Sequence, residues 1–396
     1  MNLLFTTTHL PPDNHFGGVV QSGQALLMSL KKLISNITTC CVSANPKQVI
    51  ENNIHHPVCT KTFICHRWGF SPGFAPRFKD LAQKADIVVI NGIMTYPMTT
   101  AGIISKNLNK PYVVSLRGGL LPRHMAMKPK RKKAFLKLFV RPILNNAAAI
   151  HATCEAEYNC AIKLGLKAPA IIVPNGTNLP PENLENPDGD LSKKLKSLSK
   201  QRLVLFMGRI EPIKGLDILL QSWADLTSED HYKNVNLMIA GPDERNYTRK
   251  LKSMTSKLGI DDKVFFYGMV DNNSKWLLYK QADIFILPSY SENFGLVVAE
   301  ALASGTPVIT TTSTPWENLE TYNAGKWVSP EKQSLANALR QLLDMSGEKL
   351  RTMGKEGQKM VRENYSWDRI AGKLVSVYQY VLEKKDISVY PGKNRI

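Results

Sequence analysis

Two segments of this 396-residue chain carry residues whose types and spacing could do chemistry. The first is Gly208-Arg209-Ile210-Glu211-Pro212-Ile213-Lys214-Gly215, which leaves the apolar run Leu203–Met207 and precedes a helical pattern from Leu216. Two cations five residues apart at a strand-to-helix turn can neutralise and hydrogen-bond a diphosphate; a solvated basic loop would read the same way. The second follows the run Asp283–Leu287: Pro288-Ser-Tyr-Ser-Glu292-Asn293-Phe294-Gly295-Leu296-Val-Val-Ala-Glu300. Gly295 opens a helix, whose free amides and positive dipole end invite phosphate. Glu292 precedes that helix and Glu300 lies on it, eight residues on, where a carboxylate can accept hydrogen bonds from the two hydroxyls of a ribose. Leu296, Val297, Val298, Ala299, Ala301 and Leu302 leave no polar face, so Glu300 requires a partner.

The elements that must position these residues are short apolar runs alternating with amphipathic stretches. Asn2–Phe5, Ile37–Val42, Asp86–Ile90, Tyr112–Ser115, Ala149–Thr153 and Ala170–Val173 read as buried strands, with helical spacing between most of them, as over Val20–Leu33. Leu203–Met207, Val235–Ala240, Val264–Tyr267, Asp283–Leu287 and Pro307–Thr310 repeat the style. Continuous apolar strands alternating with helices mean parallel sheets covered on both faces. The expected class is therefore α/β, with two doubly wound, Rossmann-like domains facing a central cleft. The first spans residues 1–174 and the second 201–367, with a polar linker at 175–200 and a C-terminal helix from 368 joining the first domain. Ligands in such sheets bind beyond the carboxyl ends of the strands, where both motifs fall.

Composition excludes disorder, collagen-like repeats and a disulfide-stapled miniprotein, since 43% of residues are hydrophobic and 21% charged. No apolar run approaches the ~20 residues of a spanning helix. The start Met1-Asn-Leu-Leu-Phe5 lacks a basic flank, so a cytosolic protein is expected. Cys40, Cys41, Cys59, Cys65, Cys154 and Cys160 have no CxxC, and the cluster of His55, His56, Cys59, Cys65 and His66 matches no zinc spacing. The net charge of +18 is uneven: up to Pro174 there are 21 Lys and Arg against 6 Asp and Glu, and beyond it 30 against 27. That asymmetry suits a polyanionic partner, either nucleic acid or an anionic membrane. RNA- and DNA-binding motifs are missing, and the aromatics are not interleaved with the lysines, so nucleic acid is not expected. Within Lys128–Arg141 seven of fourteen residues are cationic, with Phe135, Leu136, Leu138 and Phe139 among them. This reads as a helix lying on anionic lipid, or as a solvated face over a core stripe.

Taken jointly, Glu292-x7-Glu300 and the upstream Gly208-Arg209-x4-Lys214-Gly215 resemble the retaining glycosyltransferases of family 4, which have the GT-B fold. Ala240-Gly241-Pro242, Phe266-Tyr267-Gly268-Met269-Val270, Val173-Pro174-Asn175-Gly176, Thr153-Cys154-Glu155-Ala156-Glu157 and Tyr365-Ser366-Trp367 extend the resemblance over almost the whole chain. It implies a nucleotide diphosphate sugar as donor and a glycan or polyprenyl-diphosphate-linked acceptor, at the inner face of a bacterial membrane, with no cofactor and no metal. Arg209 and Lys214 would bind the diphosphate with the amides around Asn293, Phe294, Gly295 and Leu296. Glu300 would hold the ribose, and Glu292 a hydroxyl of the transferred sugar. Gly208, Gly268, Met269 and Val270 would line the nucleotide, and Gly17 and Gly18 would approach phosphate and acceptor. Where many relatives carry His-Gly this chain has Arg117-Gly118, and Arg117 could stabilise a leaving phosphate but cannot act as a base. A nucleotide-sugar epimerase of the same fold is the enzymatic alternative. Asp188-Gly189-Asp190 imitates a metal motif but lies in the polar linker, and Thr314-Pro315-Trp316-Glu317 reads as a capping box.

Overall fold

The computed structural model describes residues 1–12, 18–52, 57–63, 68–126, 128–184, 189–198, 201–243, 245–385, 387 and 390. Gly17, Asp188, Cys65 and His66, with His55 and His56, lie outside them. The chain divides into two compact units, Met1–Gly176 with Trp367–Ile396, and Thr177–Ser366.

In the first unit seven parallel strands run in the order β3-β2-β1-β4-β5-β6-β7. They are β1 (Asn2–Thr7), β2 (Asn36–Ser43), β3 (Val58–Lys61), β4 (Ile87–Asn91), β5 (Tyr112–Ser115), β6 (Ala149–Ala152) and β7 (Ala170–Ile172). The pleat sends Leu4 to a core with Phe74, Phe78 and Met98, and its neighbours Leu3 and Phe5 to the opposite core with Leu26 and Leu30. This second core is completed by the helix Trp367–Leu382, which buries Trp367, Ile370, Ala371, Leu374, Val377, Tyr378 and Val381 on one stripe. Each large apolar side chain so buried contributes about 1.5–3 kcal/mol, which is why the chain's end belongs to its beginning.

The second unit has six parallel strands in the order β10-β9-β8-β11-β12-β13: β8 (Arg202–Met207), β9 (Val235–Ala240), β10 (Val264–Gly268), β11 (Ile284–Leu287), β12 (Val308–Thr311) and β13 (Gly325–Val328). Strands β3 and β13 are additions to the sequence reading. Both are four-residue edge strands whose partly exposed positions break the apolar run.

Two expectations need correction. The stretch 175–200 is not purely a linker: a helix over Asp190–Leu198 buries Leu191, Leu195 and Leu198 in the second unit's core. Their i, i+4, i+7 spacing was hidden among lysines and serines. Nor is there a capping box at Thr314. Its hydroxyl donates back to the Thr311 carbonyl at 2.8 Å, and the short 3₁₀ turn starts only at Glu317. Trp316 is instead fully buried, its ring 5.2 Å from Phe294 and 5.0 Å from Tyr365.

Among the described residues five cysteines are free thiols, and burial pushes those of Cys40 and Cys154 up to about 12. His151 on β6 is also structural. Burial, with the neighbouring Arg117 charge, lowers its pKa to about 3, so it is neutral. Its Nε2 donates to the Val173 carbonyl at 2.7 Å, leaving Nδ1 to accept from the Ser115 hydroxyl at 2.7 Å. Below the ordinary value of 6.5 the unfolded chain takes up a proton that the native state refuses until about pH 3. Stability therefore falls as pH drops through that window, by about 1 kcal/mol per pH unit from this residue. Urea unfolding at pH 7, 6 and 5 should show that slope, and His151→Gln should flatten it; equal slopes would refute the assignment.

Candidate functional site

In the second unit the sheet order reverses between β8 and β11, and the turns leaving these two strands form one structure. Gly215 has φ +68°, and a Cβ there would lie 2.0 Å from the Pro288 carbonyl oxygen. Only glycine permits that approach. Tyr290 N donates to the Ile213 carbonyl at 2.9 Å, which ties the loops a second time. Lys214 Nζ thereby meets Glu292 Oε2 at 2.5 Å, 78 residues apart in sequence, with both side chains largely buried. Gly295 follows directly: a Cβ there would lie 3.3 Å from Glu292 Cγ. The helix Leu296–Ala303 starts behind it, and Trp316 Nε1 donates to the Phe294 carbonyl at 2.5 Å to hold the turn. Arg209 is the exposed cation of the set: its side chain is 50% exposed, with Glu211 at 3.3 Å as its ion-pair partner.

The neighbouring strand ends are joined through backbone. A Cβ on Gly241, φ +135°, would lie 1.9 Å from the Gly208 carbonyl oxygen, and Gly241 N donates to the Gly268 carbonyl at 2.6 Å. The ends of β8, β9 and β10 thus form a side-chain-free floor. Met269, beyond it, is highly exposed.

Glu300 has the partners its apolar helix demanded. Lys275 Nζ lies 2.7 Å from Oε1, and the hydroxyl of buried Tyr279 donates to Oε2 at 3.1 Å. Burial and this carboxylate together raise the Tyr279 pKa well above its ordinary value, so it stays a donor. Lys275 and Tyr279 stand four apart on the helix Asn272–Gln281, on one face. Each carboxylate oxygen still has a lone pair for a further donor.

Arg117 belongs to the first unit and is 9% exposed. Its Nε donates to the Asn91 side-chain oxygen at 2.6 Å and its Nη1 to that of Asn175, so it braces the ends of β4 and β7. Burial lowers its pKa to about 10, against the opposing pull of Glu157 and Tyr378, and it stays charged at neutral pH. Glu157, fully buried, accepts from Gly118 N, Thr153 N and the Thr153 hydroxyl.

Residues 188–360 match the family model of glycosyl transferases group 1, and residues 16–179 that of glycosyltransferase family 4. The chain belongs to the family 4 glycosyltransferases.

Over 186 residues, 46% of each chain, it is 34% identical to an uncharacterised glycosyltransferase of Methanocaldococcus jannaschii. It is 33% identical over 182 residues to a D-inositol 3-phosphate glycosyltransferase of Corynebacterium efficiens, covering 45% of this chain and 42% of that one. The chain thus spans less than half the length of these curated relatives. The crystal structure of Anabaena HepE in complex with UDP superposes with a TM-score of 0.74 at 21% identity, over 96% of this chain and all of that one. The fold is GT-B, as the two parallel Rossmann-like sheets indicate.

Within this family 4 chain, Lys214, Glu292, Asn293, Phe294, Gly295 and Leu296 stand together, with Arg209 and Gly208 on the adjoining turn. Gly268, Met269 and Val270 close the β10 end. Gly18 begins the helix Gly18–Leu33 of the first unit. Lys275 and Tyr279 were missed by sequence reading, although a carboxylate in an apolar helix signals that such partners must exist. The Lys275–Glu300 pair yields a test. Lys275→Met should cost about 1.5–3 kcal/mol in urea unfolding by leaving a largely buried carboxylate short of its charged partner. The double change with Glu300→Gln should recover part of that loss; strict additivity would show the pair to be uncoupled.

Proposed function

We propose that this chain is a retaining glycosyltransferase that moves a sugar from a nucleotide diphosphate sugar to a glycan acceptor, lipid-linked, in bacterial envelope or capsule assembly. The observation that carries the donor half is the convergence of Arg209, the Lys214–Glu292 pair and the Gly295 helix end where β8 and β11 diverge. HepE, solved with UDP and with UDP-glucose, supports a nucleotide sugar in the same fold.

In this reading Arg209 swings from the surface onto the diphosphate, and Lys214 shares its charge between Glu292 and the phosphate. The amides at Gly295 and Leu296 take the remaining negative charge. Glu300, held by Lys275 and Tyr279, offers its free lone pairs to the ribose, and Glu292 holds a hydroxyl of the departing sugar. The bond from the anomeric carbon to the phosphate oxygen breaks as the acceptor oxygen attacks from the same face. The acceptor proton leaves on the departing phosphate oxygen, and the same-face attack retains the configuration. Catalysis is electrostatic preorganisation and positioning.

Purified protein should release UDP from UDP-glucose or another UDP-sugar faster with acceptor than without, whereas an epimerase would need no acceptor. Glu300→Ala and Lys214→Ala should each lower kcat/KM by roughly ten- to a hundredfold. Unchanged kinetics in either would refute the donor site. The charge on the diphosphate is met by Arg209, Lys214 and the helix end, so excess EDTA should leave turnover intact; loss restored by magnesium or manganese would contradict this account.

The acceptor half is proposed to work at an anionic membrane from the cytoplasmic side. Among the described residues no helix is long and apolar enough to cross a membrane. Helical segments run on from Pro129–Phe135 through a π-helical turn, Leu136–Val140, to Arg141–Asn145. Leu138 is 65% and Phe139 45% exposed beside Lys130, Arg131, Lys133 and Lys137. A core stripe would have buried those two apolar groups; cations flanking exposed apolar ones suit an acidic leaflet. Co-sedimentation with phosphatidylglycerol vesicles should be lost on high salt. It should also be lost when Lys130, Arg131, Lys132 and Lys133 become Gln, which removes about 4 kcal/mol of attraction. A variant that pellets as wild type does would overturn the docking surface.

A further inference from the structure

The first unit holds an exposed aromatic platform that no element of the donor chemistry uses. Its sheet reverses order between β1 and β4, the place where an open α/β sheet receives ligands. A hydroxyl bond spans that gap, Thr8 Oγ1 to Thr95 Oγ1 at 2.8 Å. Beside it stands Trp68, 41% exposed. Its ring stacks with Phe70 at 6.3 Å and an interplanar angle of 9°, and tilts against Tyr96 at 5.7 Å. Phe70 in turn meets Tyr96 edge-on at 5.0 Å.

This tryptophan is held in place rather than left loose. Its carbonyl accepts from Tyr96 N at 2.9 Å, at the start of the helix Tyr96–Asn107. The next residue, Gly69, has φ +72° and little room for a side chain: a Cβ would lie 3.0 Å from Thr8, 3.1 Å from Val42 and 3.2 Å from Pro97. The turn leaving β4 also carries strain, with Met94 at φ +67°. Strained backbone persists where the surroundings over-determine it, and such places cluster at ligand sites. Packing on Phe70 and Tyr96 holds the indole yet leaves 41% of it exposed, beside hydroxyls at the sheet's switch point.

We propose that Trp68, with Tyr96, is the acceptor platform and that it takes a pyranose ring. The electron-rich face of an indole attracts the C–H groups of a sugar's apolar face. The hydroxyls at the ring's rim would find Thr8, Thr95 and the Tyr96 hydroxyl as polar partners. The inference rests on the glycosyltransferase reading and narrows it: Trp68 is the residue that receives the acceptor's terminal sugar ring.

Saturation-transfer NMR on the full chain tests it. The probes are methyl β-D-glucopyranoside, methyl β-D-galactopyranoside and methyl α-D-mannopyranoside, with glycerol as a ring-free polyol and UDP as a report on the second unit. The wild type should saturate the ring C–H protons of at least one pyranoside and not glycerol. Trp68→Leu, which keeps apolar bulk without a π face, should bind that pyranoside about tenfold more weakly. Trp68→Phe should retain most of the signal, and UDP saturation should be equal in all three proteins. Pyranoside signals that are absent from the wild type, equal in Trp68→Leu, or matched by glycerol would overturn the proposal. So would a Trp68→Leu protein that keeps the pyranoside and loses only vesicle binding, since Trp68 would then be a membrane anchor. Loss of UDP binding with pyranoside binding intact would instead count against the donor site alone.

Discussion

The meeting of Lys214 with Glu292 at the proposed donor site depends on one close backbone approach. The turn leaving β8 touches the turn leaving β11 at Gly215, where the Pro288 carbonyl occupies the place of a side chain. With any Cβ there the loops would separate, and the 2.5 Å approach of Lys214 to Glu292 would open with them. A methyl group is small, yet it would act on a spot where two strand ends are pressed together. Function in this unit is therefore held by an absence of side chain as much as by charges, and the Gly208–Gly241–Gly268 floor repeats the device on the other side of β8.

The largely buried charges of the two units have different fates. Lys214–Glu292 and Lys275–Glu300 are pairs with lone pairs or N–H groups to spare, so a ligand can join without first breaking them. Arg117 and Glu157 are bound mainly by neutral groups: two amide oxygens for the guanidinium, two backbone N–H groups and a hydroxyl for the carboxylate. Such anchoring fixes the ends of β4, β5 and β7 but leaves little of Arg117 for a phosphate. One N–H corner, Nη2, is without a partner among the described residues. The geometry thus favours a bracing role where the sequence suggested a leaving-group stabiliser.

Much of this was legible in the residues. Apolar runs of four to six flanked by helical spacing located eleven strands, because a strand buried on both faces has no polar position to blur it. Gly-Arg-x4-Lys-Gly and Glu-x7-Glu pointed to the strand ends, where Lys214 and Glu292 do come together. Edge strands β3 and β13 escaped because exposure on one side breaks the apolar pattern. Lys275 and Tyr279 escaped because their meaning lies in a partner 21 to 25 residues away across a packed helix pair. The Asp190–Leu198 helix escaped because three leucines among polar residues look like a linker until a core is there to receive them.

Trp68 shows the deeper limit. The proposed donor site is written in a spaced pattern that one chain suffices to display. An acceptor differs from enzyme to enzyme, and a platform for it needs only a rigid aromatic beside a few hydroxyls. In sequence Trp68-Gly69-Phe70 is one aromatic patch among several. What singles it out is spatial: Gly69 wedged among Thr8, Val42 and Pro97, and a hydroxyl bond across the gap between β1 and β4. Burial accounts for Trp316 and Trp223, which fill the core of the second unit. It accounts only in part for Trp68, which packs on Phe70 and Tyr96 yet stays 41% exposed, and a sugar ring on the proposed platform would cover that remainder.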